Sequence, residues 1–416
     1  MGAPVESSSA EVRPLPLRRA GECPYRPSTA MTELREQSPV AKVLCPTGIE
    51  AWLVTGYDQV QEVLRDSHRF SSRSGQFGHV LANQPPDAPM VEGAFHRLDG
   101  AEHLRYRRVL APAITTPRRI EQFRVMVQDI VNDQVDTLAA GPVDLHVAYS
   151  RPVASTVLAT LIDVPAEEHV LFQQAAETLF DDTVDRKTFL DAMIAVTGSV
   201  RALVQARRDE PGEDVVSVLI ERAQAGDQPL TETELVNMIV GFVLAGLDTM
   251  ATTLSYALVL LLERHAEFTA LRDDPTLIPG AVEEIVRYLS NGSGTLRVAT
   301  VDTEIGGVPI AAGEYVIAGA HAANHDPSRF TDPEVLDLRR ERNPHIGFGD
   351  GAHQCVAQQL ARLELIATLD TLTRRIPTLR LAEPFEHIEF KYGTPMGGPV
   401  SLPVTWDAIH PRGYGQ

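Results

Sequence analysis

Cysteine is scarce: Cys23, Cys45 and Cys355 are the only three in 416 residues. An odd, sparse set excludes a disulfide framework and points to a reducing compartment. Cys23 and Cys45 lack the spacing of zinc ligands and read as structural. Positive charge is also short, with 37 Lys and Arg against 56 Asp and Glu, a formal net charge of −19. That balance excludes general nucleic-acid binding, and any basic cluster must be local. The first residues lack the apolar core of a secretory signal, and "MGAPVE" lacks the Ser or Thr of a myristoylation pattern. No internal repeat or low-complexity tract occurs, so nothing points to a repeat array.

One apolar run, residues 240–262, is long enough to cross a membrane. Its start, "TETELVNM", carries Thr231 and Glu234 as a capping box, and Thr249, Thr252, Thr253 and Ser255 dilute it. It reads as the long buried helix of a soluble protein, spanning about 232–264, with no membrane partner.

Hydrophobic residues make up 44% of the chain and charged ones 22%, enough apolar material for a sizeable core. The pattern predicts a flexible N-terminal arm over 1–20 and one domain over 21–416. Helical periodicity dominates, with helices expected near 56–67, 101–115, 118–139, 150–162, 166–182, 187–208, 214–225 and 279–290. Residues 49–55 read as a strand, 72–100 as a long loop and 295–320 as a small antiparallel sheet. A last helix runs from Cys355 to about Arg375 before a weakly β tail. The fold class is mainly α with a small β part.

Two places carry chemistry. Asp248 lies inside the apolar run beside Thr249, and an ionised carboxylate in an apolar interior needs a partner or a wet surface. The bland reading is a helix-interior Asp with Thr249 bonded to a carbonyl one turn back. The second place is "FGDGAHQC", residues 348–355, where a Gly-rich loop leads into a helix. There backbone N–H groups and the helix dipole favour a thiolate, and Gly349 and Gly351 allow close approach of the backbone. Cys355 is a metal-ligand candidate on this reading and a small buried hydrophobe on the other.

At these residues the chain resembles the cytochrome P450 family, the haem-thiolate monooxygenases, over about 35–405. "FGDGAHQC" is similar to the haem-binding loop, which implies Cys355 as the iron ligand, with Phe348 beside the sulfur and Gly349 in the loop. Cys-thiolate ligation is general knowledge of that family. "AGLDT" resembles the oxygen-activation motif of a long distal helix. It implies Ala245 and Gly246 as room for the cofactor, and Asp248 and Thr249 as the catalytic proton relay. "HLRYR" resembles the helix whose His103 and Arg107 bind the haem propionates, and Arg297 and His353 match two further propionate partners. "EIVR" resembles the Glu-x-x-Arg motif, Glu284 and Arg287. Three residues apart, these two can meet on one helix face. Alone such a pair reads as a solvated surface bridge, whereas here Arg287 can extend into the Pro-rich segment before the cysteine. Ala357, usually Gly in the family, Met250, and the Gly-rich "NGSG" at 291–294 depart from the pattern.

The resemblance implies haem b as cofactor, O2 and a mostly apolar small molecule as substrates, and a ferredoxin and its reductase drawing on NAD(P)H. It also implies a cytoplasmic monomer of secondary metabolism, such as antibiotic biosynthesis. Pocket candidates are Phe77, His79, Val80, Leu171, Phe180, Val240, Val243, Leu244, Leu289, Asn291, Thr295 and Met396. Arg105, Arg108, Arg118 and Arg119 form a local basic cluster suited to an acidic electron donor. The implied reaction is hydroxylation or epoxidation of a polyketide, macrolide or terpenoid. Two alternatives stand: oxidative coupling or desaturation without oxygen insertion, and a haem-binding sensor or carrier without turnover.

Overall fold

The computed structural model describes residues 12–17, 21–73, 80, 90–139, 141–165, 168–180, 184–225, 227–292, 294–392 and 396–414. Phe77 and His79 lie outside the described residues, as does the side chain of Phe180. Helices dominate: α1 Thr29–Gln37, α2 Tyr57–Arg65, α3 Gly100–Thr115, α4 Pro117–Asp136, α5 Arg151–Ile162, α6 His169–Phe180 and α7 Arg186–Asp209. They continue with α8 Val215–Gln224, α9 Glu232–Glu263, α10 His265–Asp273, α11 Ile278–Leu289, the single turn α12 Ala320–Ala323 and α13 Gln358–Arg375.

The largest core cluster gathers around α9, which buries residues along nearly its whole length, from Leu235 to Leu262. Its start is the expected capping box: Thr231 Oγ1 accepts the Glu234 N–H and the Glu234 side chain accepts the Thr231 N–H. A second, smaller core lies under a six-stranded sheet in the order β1 Arg13–Pro14, β2 Val40–Leu44, β3 Glu50–Val54, β9 Tyr315–Ala318, β6 Thr295–Ala299, β4 Phe70–Ser71. The segment 295–320 is not a separate antiparallel sheet. β9 pairs antiparallel with β6 but parallel with β3, joining it to residues far earlier in the chain. β5 Val143–Asp144 pairs antiparallel with Pro403 and Val404 near the C-terminus, and β7 Thr303–Ile305 and β8 Val308–Ile310 form a two-stranded ribbon.

Three further expectations are corrected. Part of the expected N-terminal arm is docked: Arg13 and Pro14 pair with Val43 and Leu44, and Leu15 is buried. Two helices, α1 and α10, lie where no periodicity was visible, because each buries only two residues: Leu34 and Arg35 in α1, Phe268 and Leu271 in α10. Local caps and neighbours carry them instead; Ser28 Oγ accepts the Met31 N–H at the start of α1. Cys355 does not open the last helix, because α13 begins at Gln358 with Ala357 as its N-cap.

Candidate functional site

The loop before α13 is built by backbone geometry. Gly349 and Gly351 have φ of +74° and +68°, the left-handed region where a side chain is strained. A Cβ on Gly351 would also lie 2.6 Å from the Leu64 carbonyl oxygen and 2.8 Å from Arg65 Cα. Gly351 therefore serves close packing on α2 rather than approach to the sulfur. Asp350 fixes that contact by accepting from Gln61 Nε2 at 2.8 Å and Arg65 Nε at 3.1 Å. The Cys355 N–H donates to the Phe348 carbonyl at 2.9 Å, closing the loop on itself. Burial pushes the Cys355 thiol up; the Ala357 N–H at the sulfur and the charges of Arg107 and Arg362 oppose it. A half-buried sulfur with a backbone donor and two cations nearby suits a stabilised thiolate. Ala357, the departure from the family pattern, thus contributes its backbone N–H.

Four of the expected cofactor residues converge. The rings of His103 on α3 and His353 in the loop stack at 4.1 Å. Arg107, one turn after His103, donates Nη1 to the Gln354 carbonyl at 3.1 Å. Arg297 on β6 is 5% exposed and His103 1% exposed. Burial draws the Arg297 guanidinium down to about 10, still a cation near neutral pH, and His103 down to about 4, which leaves its ring neutral there. The acid that acts on both is Asp99, already engaged by Ser71 Oγ at 2.5 Å, the Ser72 N–H at 3.1 Å and His353 Nε2 at 3.4 Å. Burial raises the Asp99 carboxyl, but His353 and the serines outweigh it and hold it at about 2. Among the described residues the buried His103 Nδ1 atom has no hydrogen-bond partner. This donor set fits a ligand carrying carboxylates.

Glu284 and Arg287 are fully buried, not a surface pair. Arg287 Nε and Nη2 each reach a Glu284 oxygen at 2.8 Å. Arg287 Nη1 donates to the carbonyls of Asn324 at 2.7 Å and Pro333 at 3.0 Å, the Pro-rich segment before the cysteine. Glu284 also accepts from Arg340 Nε, Asn343 Nδ2 and the Asp337 N–H. A buried ion pair survives only with such extra bonds. The pair fastens the segment that leads into the cysteine loop.

Within the buried α9, Ala245 is exposed and Gly246, Asp248 and Thr249 are half-buried. Thr249 Oγ1 donates to the Ala245 carbonyl at 2.6 Å, the back-bonded geometry of the bland reading. Gly246 also packs closely on a neighbouring helix: a Cβ there would lie 2.8 Å from Leu158 Cδ1 on α5. Met250, the other departure on this helix, is buried.

The pocket candidates divide. Val80 is fully buried in a third cluster with Leu53, Leu296 and Ile317. Val240, Val243, Leu244 and Leu289 are buried in the large core. Leu171, Asn291, Thr295 and Met396 are half-buried. Met396 bridges Gly292 as an isolated pair, and a Cβ on Gly398 would overlap Thr252 Cγ2 on α9. That segment therefore links Gly292 to the middle of α9. Gly294 has a backbone reason, adopting φ +143°. The basic cluster is weaker than expected. Arg105 forks onto Glu234 at 2.6 and 2.9 Å, and Arg119 donates to the Glu213 carbonyl at 2.8 Å. Asp99, which meets His353, and Arg362, which lies over Phe348 and pairs with Glu283 and through it His345, carried no local signal, because these contacts join remote segments.

Comparisons with known proteins agree with this architecture. The cytochrome P450 family profile matches residues 170–275 and 269–376. Nocardicin C N-oxygenase of Nocardia uniformis subsp. tsuyamanensis is 39% identical over 378 residues, 90% of this chain and 94% of that protein. Mycinamicin IV hydroxylase/epoxidase of Micromonospora griseorubida is 36% identical over 90% of this chain and 94% of its own. The crystal structure of CYP105P1 in complex with filipin I superposes with a TM-score of 0.89 at 38% identity, covering 96% of this chain and 100% of that one. The chain belongs to the cytochrome P450 family. It is a P450 monooxygenase with the mainly helical fold of the actinobacterial CYP105 enzymes.

Proposed function

We propose that this enzyme holds haem b between Cys355 and the open stretch of α9, Ala245–Thr249, and inserts one oxygen atom from O2 into a small, mostly apolar natural product. The observation that carries the reading is the loop 348–355. It presents the Cys355 sulfur, and its His353 stacks on His103 in a buried cationic corner. Cys355 would ligate the iron, and His103, Arg107, Arg297 and His353 would hold the propionates. When bound, the haem supplies reductive activation of dioxygen. The protein's residues do the rest. Asp248 and the Thr249 hydroxyl, adjacent on α9, handle protons at the distal face. For Thr249 Oγ1 this means leaving or sharing its bond to the Ala245 carbonyl.

Electrons come from a ferredoxin and its reductase, with NAD(P)H as donor. Residues 21–416 act as one catalytic unit, and the enzyme works as a cytoplasmic monomer. The relatives support the substrate class, since their names and titles record mycinamicin IV, filipin I and nocardicin C. Asn291, Thr295 and Met396, half-buried near the α9 strand contact, are the residues proposed to meet substrate. The test is a screen of macrolides, polyenes, terpenoids and β-lactam amines by the ferric Soret shift, followed by turnover with ferredoxin, its reductase and NADPH. A binder converted to a product heavier by one oxygen supports the proposal. Conversion only to coupled or desaturated products overturns oxygen insertion, and binding with no NADPH consumption overturns turnover.

A further inference from the structure

A second ionic cluster lies beside the cysteine loop, and the reading above makes no use of it. Arg362, on α13, donates Nε to Glu283 Oε1 at 2.6 Å and Nη2 to Oε2 at 2.9 Å, a two-pronged fork. Its Nη1 reaches Gln358 Oε1 at 3.0 Å. The guanidinium lies over the Phe348 ring, 4.6 Å from the centroid. His345 closes the cluster from the other side, with Nε2 3.0 Å from Glu283 Oε2 and Nδ1 accepting the Gly347 N–H at 3.1 Å. A ring nitrogen that accepts carries no proton, so Nε2–H is the donor to Glu283. Burial raises the Glu283 carboxyl, yet His345 and Arg362 outweigh it and hold it at about 2, so it stays an anion.

The cation is thereby fixed against the ring of the residue whose carbonyl binds the Cys355 N–H. Of the two charges, the guanidinium is the one packed on the ring of Phe348 in the cysteine loop, while the carboxylate is held by His345 from the other side. Stability alone gives a partly exposed pair little, roughly 0–1 kcal/mol, which leaves so many restraints on one guanidinium unexplained.

We infer that the Glu283–Arg362 pair, clamped by His345 and stacked on Phe348, sets the electrostatic potential at the Cys355 sulfur and so tunes the reduction potential of the iron it holds. Both are positioning residues. The inference rests on Cys355 as the iron ligand. The step it governs adds one electron to ferric iron, giving ferrous iron, with no proton moved. Fixed positive charge favours the added electron, and fixed negative charge opposes it.

The test is the ferric/ferrous midpoint potential of substrate-free holoenzyme by spectroelectrochemistry, with the ferrous–carbon monoxide spectrum as control. Arg362→Gln leaves Glu283 unbalanced and lowers the potential; Glu283→Gln leaves Arg362 unbalanced and raises it. Each changes the one-electron equilibrium constant by about threefold to tenfold, the effect of one partly screened charge. Arg362→Lys keeps the charge and stays near wild type. Shifts of the same sign in both Gln variants, or none in either, overturn the inference, since a merely structural pair would move both alike. If Arg362→Gln does not retain haem, Glu283→Gln alone decides: an unchanged or lowered potential overturns the proposal. A wild-type enzyme without a thiolate-type ferrous–carbon monoxide band refutes the ligand assignment itself; the band with wrongly signed potentials refutes only the tuning.

Discussion

Arg297 shows how one residue can be costly to the fold and useful to the site. It is 5% exposed and donates to the carbonyl of its neighbour Leu296 at 2.9 Å, so little of the fold depends on its charge. Replacing it with Leu should leave the protein folded, with melting unchanged or raised, and weaken haem retention about tenfold or more, the loss of one charge-assisted contact. Haem transfer to a competing apoprotein measures this. Thr249 is the second such residue. Thr249→Ala removes a hydroxyl whose described hydrogen bonds go to the carbonyls of Ala245 and Gly246. The variant should bind haem and substrate as before while product per NADPH consumed falls several-fold. Full coupling in that variant would remove Thr249 from the relay. At this scale the meeting of two segments was legible: His103 and Arg107 stand in one motif and His353 and Cys355 in another, and the two motifs touch, whereas Arg297 was singled out only through the family resemblance. Asp99 was not legible, because its partners Ser71 and His353 lie in separate segments of the chain.

Elements show a second use for a residue that the sequence patterns single out. Gly246 sits in the expected motif, and its lack of a side chain also serves a helix crossing. Gly246→Val should push Leu158 and separate α9 from α5, destabilising by about 1–3 kcal/mol; the double variant with Leu158→Ala should recover part of that loss in denaturant titrations. Additive losses in the two variants would contradict the crossing. Glu284 and Arg287 show a reading that holds in space. Their spacing alone allowed a surface bridge, but the expected extension of Arg287 into the Pro-rich segment is made by its bonds to the carbonyls of Asn324 and Pro333. Glu284→Ala leaves a buried guanidinium unbalanced and should cost about 3–5 kcal/mol, read as a fall in the unfolding midpoint. Helices with an apolar stripe were readable; α1 and α10, with two buried residues each, were not.

Across the whole molecule the acid side should be the weak side. His146 and His325 are 3% and 0% exposed. Burial, with Arg151 acting on the first and Arg287 on the second, draws them from 6.5 to about 4 and about 3. Between pH 6.5 and those values the unfolded chain binds protons that the folded state refuses, so stability present above pH 6.5 is lost as pH falls. Asp99 and Glu283, held at about 2, add to the loss below pH 4. Melting temperature should therefore drop steadily from pH 7 to pH 4; a flat or rising profile would contradict these burials. The mainly helical class and the long central helix were legible at this scale. The mixed sheet was not, because the parallel pairing of β9 with β3 joins segments with more than 250 residues between them.

The most direct measurement of the central claim is the ferrous–carbon monoxide spectrum of purified wild type beside Cys355→Ala. Cysteine ligation predicts the red-shifted thiolate-type Soret band in the wild type and its loss in the variant. The same band in both proteins, or a wild-type band of the kind given by a nitrogen ligand, would contradict it.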